Sequence, residues 1–354
     1  MIILLIFFLV TFLILYISLR KFLTKPSKTS YNLNFSIIIA AKNEGRNIPG
    51  LIESLKNLNY PSEKFEVIII DDNSSDNTFE LTKQLSSELK NFSVIAAGDN
   101  KRYPGKKGAL DTGISKAEYP YILITDADCI PSEDWLTYYS GRFSEGYDIV
   151  FGPAPFYQTN SLMNKISCFE NLRASLLVFG AAELNFSYSA MARNFGFKKS
   201  SFENIGGYSN TVETLGGDDD LLLREAVKHK MKIGTINHPG AFVYSIARES
   251  LDRYLKQKKR HTKTSLHYLP SRQLLLTIWH TINIFALFYP LISMNPDFIP
   301  LFFLKLFADF SMVSFYQKKF GYTFSITEKI YLQIYYEIFL IINFFNALVN
   351  KDKW

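Results

Sequence analysis

The chain has 354 residues, a formal net charge of +6, and 47% hydrophobic, 20% charged and 16% aromatic residues. That apolar and aromatic content excludes a disordered chain, and 18 Gly, 13 Pro and 2 Cys exclude collagen-like and disulfide-framework classes. Cys129 and Cys168 read as reduced thiols, and no Cys/His cluster has zinc spacing.

The apolar residues are unevenly spread. Ile2–Leu19 carries no formal charge, and about 20 apolar residues cross a bilayer. Basic residues follow this run rather than precede it: Arg20, Lys21, Lys25 and Lys28. The pattern predicts an uncleaved transmembrane anchor over 1–22 with its C-terminal side in the cytoplasm.

A polar, mixed block follows, taken as one domain over 33–265. Phe35–Ala41 (FSIIIAA) is a short β-branched run, and Ile48–Leu58 has helical spacing. Phe65–Ile70 reads as a second strand ending in Asp71-Asp72, followed by turn residues and a helical Thr78–Leu89. Phe92–Ala97 is a third strand, Lys107–Ala117 a helix, and Tyr121–Thr125 a fourth strand that ends in Asp126-Ala-Asp128. Short apolar strands alternating with helices predict an α/β fold with a mostly parallel sheet. In such sheets ligands bind beyond the carboxyl ends of the strands. The polar clusters Lys42–Glu44, Asp71-Asp72 and Asp126–Asp128 all fall there.

The tail is apolar again, taken as a C-terminal membrane region over 266–354. Lys256, Lys258, Lys259, Arg260, Lys263 and Arg272 form an acid-free basic strip just before it, which fits a cytoplasmic, lipid-facing surface. No nucleic-acid-binding motif accompanies the strip, so a nucleic-acid partner is not expected. Leu274–Met294 is uncharged, Phe298–Tyr316 is interrupted by Lys305 and Asp309, and Ile330–Val349 by Glu337. Lys305 and Asp309 share a helix face and can pair. Charges at such depth face protein or a water-filled cavity. Lys318 and Lys319 predict a cytoplasmic loop, and four spans then place both termini outside, against the inside preference of Lys351 and Lys353.

Three clusters in the polar block carry chemistry. Asp126 and Asp128 at a strand end suit Mg²⁺ or Mn²⁺, hard ions commonly completed by substrate phosphates. Gly105-Lys106-Lys107-Gly108 opens a helix, where basic side chains and the helix N-terminus favour a diphosphate; the P-loop pattern is absent. Gly216-Gly217-Asp218-Asp219-Asp220 precedes an apolar helical run. One acid there is a cap, but crowded carboxylates raise one another's pKa and suit a general base.

From Phe35 to His261 these segments resemble, in order and spacing, the family 2 glycosyltransferases of GT-A fold. SIIIAAKNE (Ser36–Glu44) is similar to that family's opening strand and VIIIDDNSSDNT (Val67–Thr78) to its nucleotide-binding segment. PGKKGALDTGI (Pro104–Ile114) and ILITDADC (Ile122–Cys129) resemble its donor loop and Asp-x-Asp motif. ARNFGFKKSSFENIGGY (Ala192–Tyr208) resembles its acceptor-side strand, and GGDDDLLLR (Gly216–Arg224) its catalytic-base motif. The resemblance implies that Ala40, Ala41, Asn43 and Glu44 line the donor nucleotide. Asp72 would contact its base, supported by Asp71. Lys106 or Lys107 would approach the donor, and Asp126 and Asp128 would hold the metal on its diphosphate.

The base falls on Asp218 when Asp220-Leu221 and Arg224 are aligned, leaving Gly217 where an acid is usual; a Gly-Asp-Asp alignment gives Asp219. Asp218 is favoured. Gln257-Lys-Lys-Arg260-His261 resembles the Gln-x-x-Arg-Trp motif of membrane-integrated members, making Gln257 and Arg260 active-site candidates. His261 offers less stacking area than the usual Trp, which argues against processive polymer synthesis.

The expectation is a metal-dependent, inverting hexosyltransferase of the cell envelope. It is multi-pass in the cell membrane, with one N-terminal and about three C-terminal transmembrane helices and a cytoplasmic catalytic domain. It would take a nucleotide sugar, UDP-linked, to a lipid acceptor, with a glycan acceptor and polysaccharide synthesis as the alternative. A non-catalytic scaffold is disfavoured by intact Asp126, Asp128 and Asp218. A transporter is disfavoured by the lack of paired interrupted helices.

Overall fold

The computed structural model describes residues 2–349; Lys351 and Lys353 lie outside the described residues. In chain order the elements begin α1 (Ile2–Thr24), β1 (Phe35–Ala41), α2 (Ile48–Lys56), β2 (Phe65–Asp71), α3 (Thr78–Ser86), β3 (Phe92–Ala96), α4 (Gly105–Lys116) and β4 (Tyr121–Asp126). They continue β5 (Cys129–Pro131), α5 (Trp135–Phe143), β6 (Ile149–Phe151), α6 (Leu162–Glu183), β7 (Phe195–Lys198), α7 (Lys199–Asn204) and α8 (Asp220–Lys228). The last are β8 (Ile233–Thr235), β9 (Val243–Ser245), α9 (Leu251–Ser265), α10 (Pro270–Ser293), α11 (Ile299–Tyr316) and α12 (Ile326–Val349). The alternation read from the sequence is present, and two of the strands run one residue further, so that Asp71 and Asp126 are their last residues.

The chain forms two compact units that interleave along the sequence: residues 25–157 with 189–246, and residues 1–24 with 158–188 and 247–354. The limits 1–22, 33–265 and 266–354 divide the chain by composition rather than by packing.

In the first of these units the main sheet has the order β3-β2-β1-β4-β7-β6-β8. β1 runs parallel to β2 and β4, β2 parallel to β3, and β7 antiparallel to β4 and β6. The mostly parallel, mixed sheet is the α/β architecture expected. Its central strands are buried on both faces and therefore read as continuous apolar runs: Ile37, Ile39, Val67, Ile69 and Leu123 join Leu51, Leu55, Trp135 and Tyr139 in one core. β5 and β9 form a separate antiparallel pair.

The strand order reverses direction of growth at β1/β4, the place where such sheets open a crevice. Register supplies the rest. Ala40 pairs with Asp126 on one side and Ala41 with Asp71 on the other. Small residues at the end of β1 thus stand between two carboxylate-bearing strand ends.

Among the described residues four helices are long and apolar enough to cross a membrane, and they lie in the other unit: Ile2–Thr24, Pro270–Ser293, Pro296–Phe320 and Ile326–Leu348. α6 belongs to it. Gly180 of α6 packs so closely on α1 that a Cβ there would lie 2.5 Å from Leu15 Cδ1. The pair expected from helical spacing is present: Lys305 Nζ lies 2.5 Å from Asp309 Oδ2.

Candidate active site

Three loops at the carboxyl end of the parallel strands are laced together by polar side chains. After β1, Asn43 takes a left-handed conformation (φ 58°), which Asn tolerates better than most residues. Its amide N–H donates to Ser74 Oγ at 2.9 Å, and its Oδ1 accepts from the Ser75 N–H at 2.8 Å. The Glu44 N–H donates to Thr78 Oγ1 at 2.8 Å, and Glu44 Oε2 accepts from Asn47 Nδ2 at 2.6 Å. The β1 and β2 loops therefore form one surface.

Asp71 and Asp72 have separate jobs. Asp71 is buried; its Oδ2 accepts from the Ser74 N–H at 3.1 Å, while its buried Oδ1 has no hydrogen-bond partner. Asp72 forms an ion pair with Lys101. Lys101 had no motif to single it out; only its place in the loop after β3 could have.

α4 resolves the two adjacent lysines of the donor loop. A Cβ on Gly108 would fall 1.9 Å from the Tyr103 carbonyl oxygen, so only glycine lets the helix start fold this tightly. In that setting Lys107 is buried, and its ammonium donates to the carbonyls of Thr211 and, at 3.0 Å, Thr214. Burial pulls its pKa down, against the pull of Asp218 and other nearby acids. Lys106 turns the other way, with its Nζ 2.7 Å from Asp126 Oδ1 and 2.7 Å from Asp218 Oδ2. Of the two, Lys106 faces the carboxylates.

One potential ligand atom each of Asp126, Asp128 and Cys129 lie within 4.8 Å of one another. Burial first, then the Asp126 and Asp128 charges, push the Cys129 thiol well above its ordinary range. The thiol is protonated, and its Sγ donates to Asp128 Oδ1 at 3.6 Å. Two carboxylates remain as oxygen donors, a hard set that fits Mg²⁺ or Mn²⁺ rather than a soft metal. Asp126 Oδ1 is buried and has its ion pair with Lys106 without an aligned hydrogen bond, so a cation already sits against the expected metal ligand.

The acidic triplet divides too. Asp220 opens α8, and its Oδ1 accepts from Ser189 Oγ at 2.8 Å and the Ala190 N–H at 3.0 Å; it ties a loop to the helix. Asp218 is buried and meets Lys106. Burial first, then the Asp220 and Asp218 charges, hold Asp219 well above the usual carboxylate range. Gln257 and Arg260 lie on α9 in the other unit, Gln257 half-buried and Arg260 exposed. Nearby on α9, Tyr254 donates to Glu170 and Lys258 pairs with Glu170 at 3.2 Å.

Residues 36–206 match the family described as Glycosyl transferase family 2. Glycosyltransferase AglE of Haloferax volcanii is 30% identical over 126 residues, 35% of this chain and 40% of that one. Poly-beta-1,6-N-acetyl-D-glucosamine synthase of Staphylococcus epidermidis is 26% identical over 232 residues, 64% of this chain and 53% of the relative. The chain thus spans about half the length of the curated relatives it matches. A mannosyltransferase of Pyrobaculum calidifontis, solved with GDP-Man and Mn²⁺, shares the fold at TM-score 0.60 and 16% identity, covering 96% of this chain and 95% of that one.

Proposed function

With residues 36–206 a family 2 glycosyltransferase domain, we propose that the protein is a metal-dependent, inverting hexosyltransferase. It moves a sugar from a nucleotide donor to a membrane-associated lipid acceptor. The observation that carries this reading is a single ammonium shared by two motifs: Lys106 lies 2.7 Å from both Asp126 and Asp218. The carboxylate assigned to the donor diphosphate and the one assigned to the acceptor hydroxyl thus face one point.

In this reading Ala40, Ala41, Asn43 and Glu44 line the nucleotide, and Asp72, with Asp71 behind it, receives its base. Asp126 and Asp128 hold Mg²⁺ or Mn²⁺, which supplies positive charge for the departing diphosphate. Asp218 takes the proton from the acceptor hydroxyl as it attacks the anomeric carbon opposite the leaving group. A single displacement of this kind inverts the configuration and needs no protein nucleophile. Asp219 is the alternative base. Gln257 and Arg260 are assigned to the active site by their motif alone.

The donor is proposed to be UDP-linked. GDP-linked mannose, the ligand named for the Pyrobaculum calidifontis neighbour, is the alternative that an assay decides. The four long apolar helices support a multi-pass cell-membrane protein, and the basic residues after Leu19 support a cytoplasmic catalytic domain in this reading. A polysaccharide synthase is the second reading, favoured by the match to the Staphylococcus epidermidis synthase over 64% of this chain.

Membranes containing the protein, incubated with a panel of nucleotide sugars, test the proposal. Transfer to a lipid-extractable product, abolished by EDTA and restored by Mn²⁺ or Mg²⁺, is the expected result. Water-insoluble polymer in place of glycolipid selects the second reading, and full transfer in excess EDTA rejects the metal assignment.

A further inference from the structure

The donor site carries its own cation. Lys106 is the second residue of α4, where the helix dipole disfavours a positive charge, yet its ammonium lies 2.7 Å from both Asp126 and Asp218. Its neighbour Lys107 is anchored to backbone carbonyls, a fixed arrangement. Lys106 is anchored to carboxylates, and its side chain and that of Asp126 are each 30% exposed. Water thus reaches the lysine and the rest of the Asp126 side chain, although Asp126 Oδ1 itself is buried. An ammonium held against Asp126 opposes a dication on the same carboxylate, because the two cations repel across a few ångströms.

We propose that Lys106 is the resident counter-cation of this site. In the donor-free protein it neutralises Asp126 and clamps it to Asp218. When a nucleoside diphosphate arrives with its divalent ion, Lys106 leaves Asp126 and turns to the diphosphate oxygens. Metal binding at Asp126 and Asp128 is therefore weak until the nucleotide removes the internal competitor. By linkage the metal strengthens nucleotide binding by the same factor. This inference rests on the metal assignment of Asp126 and Asp128 and adds an order to it: neither metal alone nor nucleotide alone opens the site fully.

The test measures Mn²⁺ binding rather than activity. Full-length protein in detergent, without nucleotide, is titrated with Mn²⁺ while the free-ion EPR signal is followed. Lys106→Met is expected to bind Mn²⁺ on the order of tenfold more tightly than wild type, the scale of one removed charge contact. Lys106→Arg, which keeps the charge, is expected to stay near wild type, and Asp126→Asn to lose the site. Saturating UDP or GDP should then tighten Mn²⁺ strongly in wild type and little in Lys106→Met. Lys106→Gln provides a second neutral variant should the methionine form fold poorly. Lys106→Met and Lys106→Gln binding Mn²⁺ no more tightly than wild type, with Asp126→Asn still losing it, overturns the counter-cation role and leaves the metal site standing. Mn²⁺ binding that survives Asp126→Asn unchanged overturns the metal assignment, and the inference with it.

Discussion

Lys106 and Lys305 each bridge two carboxylates, one in each unit, and they are built for opposite ends. Lys305 Nζ lies 2.5 Å from Asp309 and 2.9 Å from Glu337, and donates to Asn283 Oδ1 at 2.7 Å. Arg173 of α6 adds a second cation on Asp309. The side chains of Lys305, Asp309 and Glu337 are 1–2% exposed. Two cations balance two anions, and the network draws on α6, α10, α11 and α12. Lys106, by contrast, is 30% exposed and lies between Asp126 and Asp218, with Asp128 and Asp219 close in sequence. The first cluster is balanced and closed; removing any member strands a buried charge. The second gathers several carboxylates around a partly exposed lysine, the setting proposed above for a divalent cation. Charge balance and exposure, rather than the residue types, separate a brace from a binding site.

The largest effect expected from breaking this contrast is on the transfer reaction. Asp218→Asn removes the basic lone pair and keeps the side chain's size. Transfer should fall by roughly 10²–10⁴, the usual range for lost general-base help. Donor affinity, followed by UDP binding in the presence of Mn²⁺, should hold, because Asp72, Asp126 and Asp128 are untouched. An active Asp218→Asn beside a dead Asp219→Asn moves the base one residue along.

The next effect is on stability in the apolar unit. Lys305→Met strands Glu337 and should cost about 3–5 kcal/mol, the range for breaking a buried pair, read as a lowered unfolding midpoint in detergent. Adding Glu337→Gln restores the balance through Arg173 and Asp309 and should recover most of the loss. Lys106→Met should leave the midpoint nearly unchanged. A loss as large as that of Lys305→Met would make the donor-site lysine a brace as well, and erase the contrast.

Within one turn of α4 the same contrast can be sharpened. Lys107→Met abandons the carbonyls of Thr211 and Thr214 and should destabilise by about 1–3 kcal/mol, the cost of leaving buried acceptors unpaired. Its Mn²⁺ affinity should stay near wild type, whereas Lys106→Met changes affinity and not stability.

How far the sequence reaches follows the same physics. β1, β2 and β4 were legible because strands buried on both faces read as unbroken runs such as Ile37–Ile39 and Val67–Ile70. The strand-end carboxylates Asp71, Asp126 and Asp128 stand out against those runs. β5, β6, β8 and β9 span three residues each, too short for any periodicity to register. α6 was hidden by Lys165, Glu170 and Arg173, whose charges look like surface until their partners on α9, α11 and α12 are known. Lys305 with Asp309 is a local pair that spacing reveals; Arg173 and Glu337 complete it from far along the chain. Which of Lys106 and Lys107 faces the carboxylates is decided by the loop at Thr211–Thr214, about which the donor-loop motif says nothing.

The smallest expected effect concerns pH, and it sets two aspartates of the sheet unit against each other. Asp219 is held well above the usual carboxylate range, by burial first and then by Asp220 and Asp218. The folded protein therefore binds that proton more tightly than the unfolded chain does. The associated stability is fully present below the unfolded pKa and is lost as pH rises through the folded one. At neutral pH the wild type bears the cost of crowding. Asp219→Asn, which stays neutral throughout, should raise Tm at neutral pH, and the gain should shrink on acidification toward about pH 4.

Asp148 has the reverse sign. Burial works to raise it, but the Lys232 N–H at 2.9 Å and Lys198 Nζ at 3.0 Å prevail and its pKa is lowered. Its stability is present above the unfolded pKa and is lost as pH falls through the folded one. Asp148→Asn should therefore lower Tm at neutral pH and approach wild type in acid. Both scans are run in EDTA, so that no metal relieves the acidic cluster. Opposite slopes for the two variants match an overcrowded acidic site beside a satisfied structural carboxylate. Parallel slopes, with Asp219→Asn also losing stability at neutral pH, would show that Asp219 is a satisfied side chain and that the cluster is balanced after all.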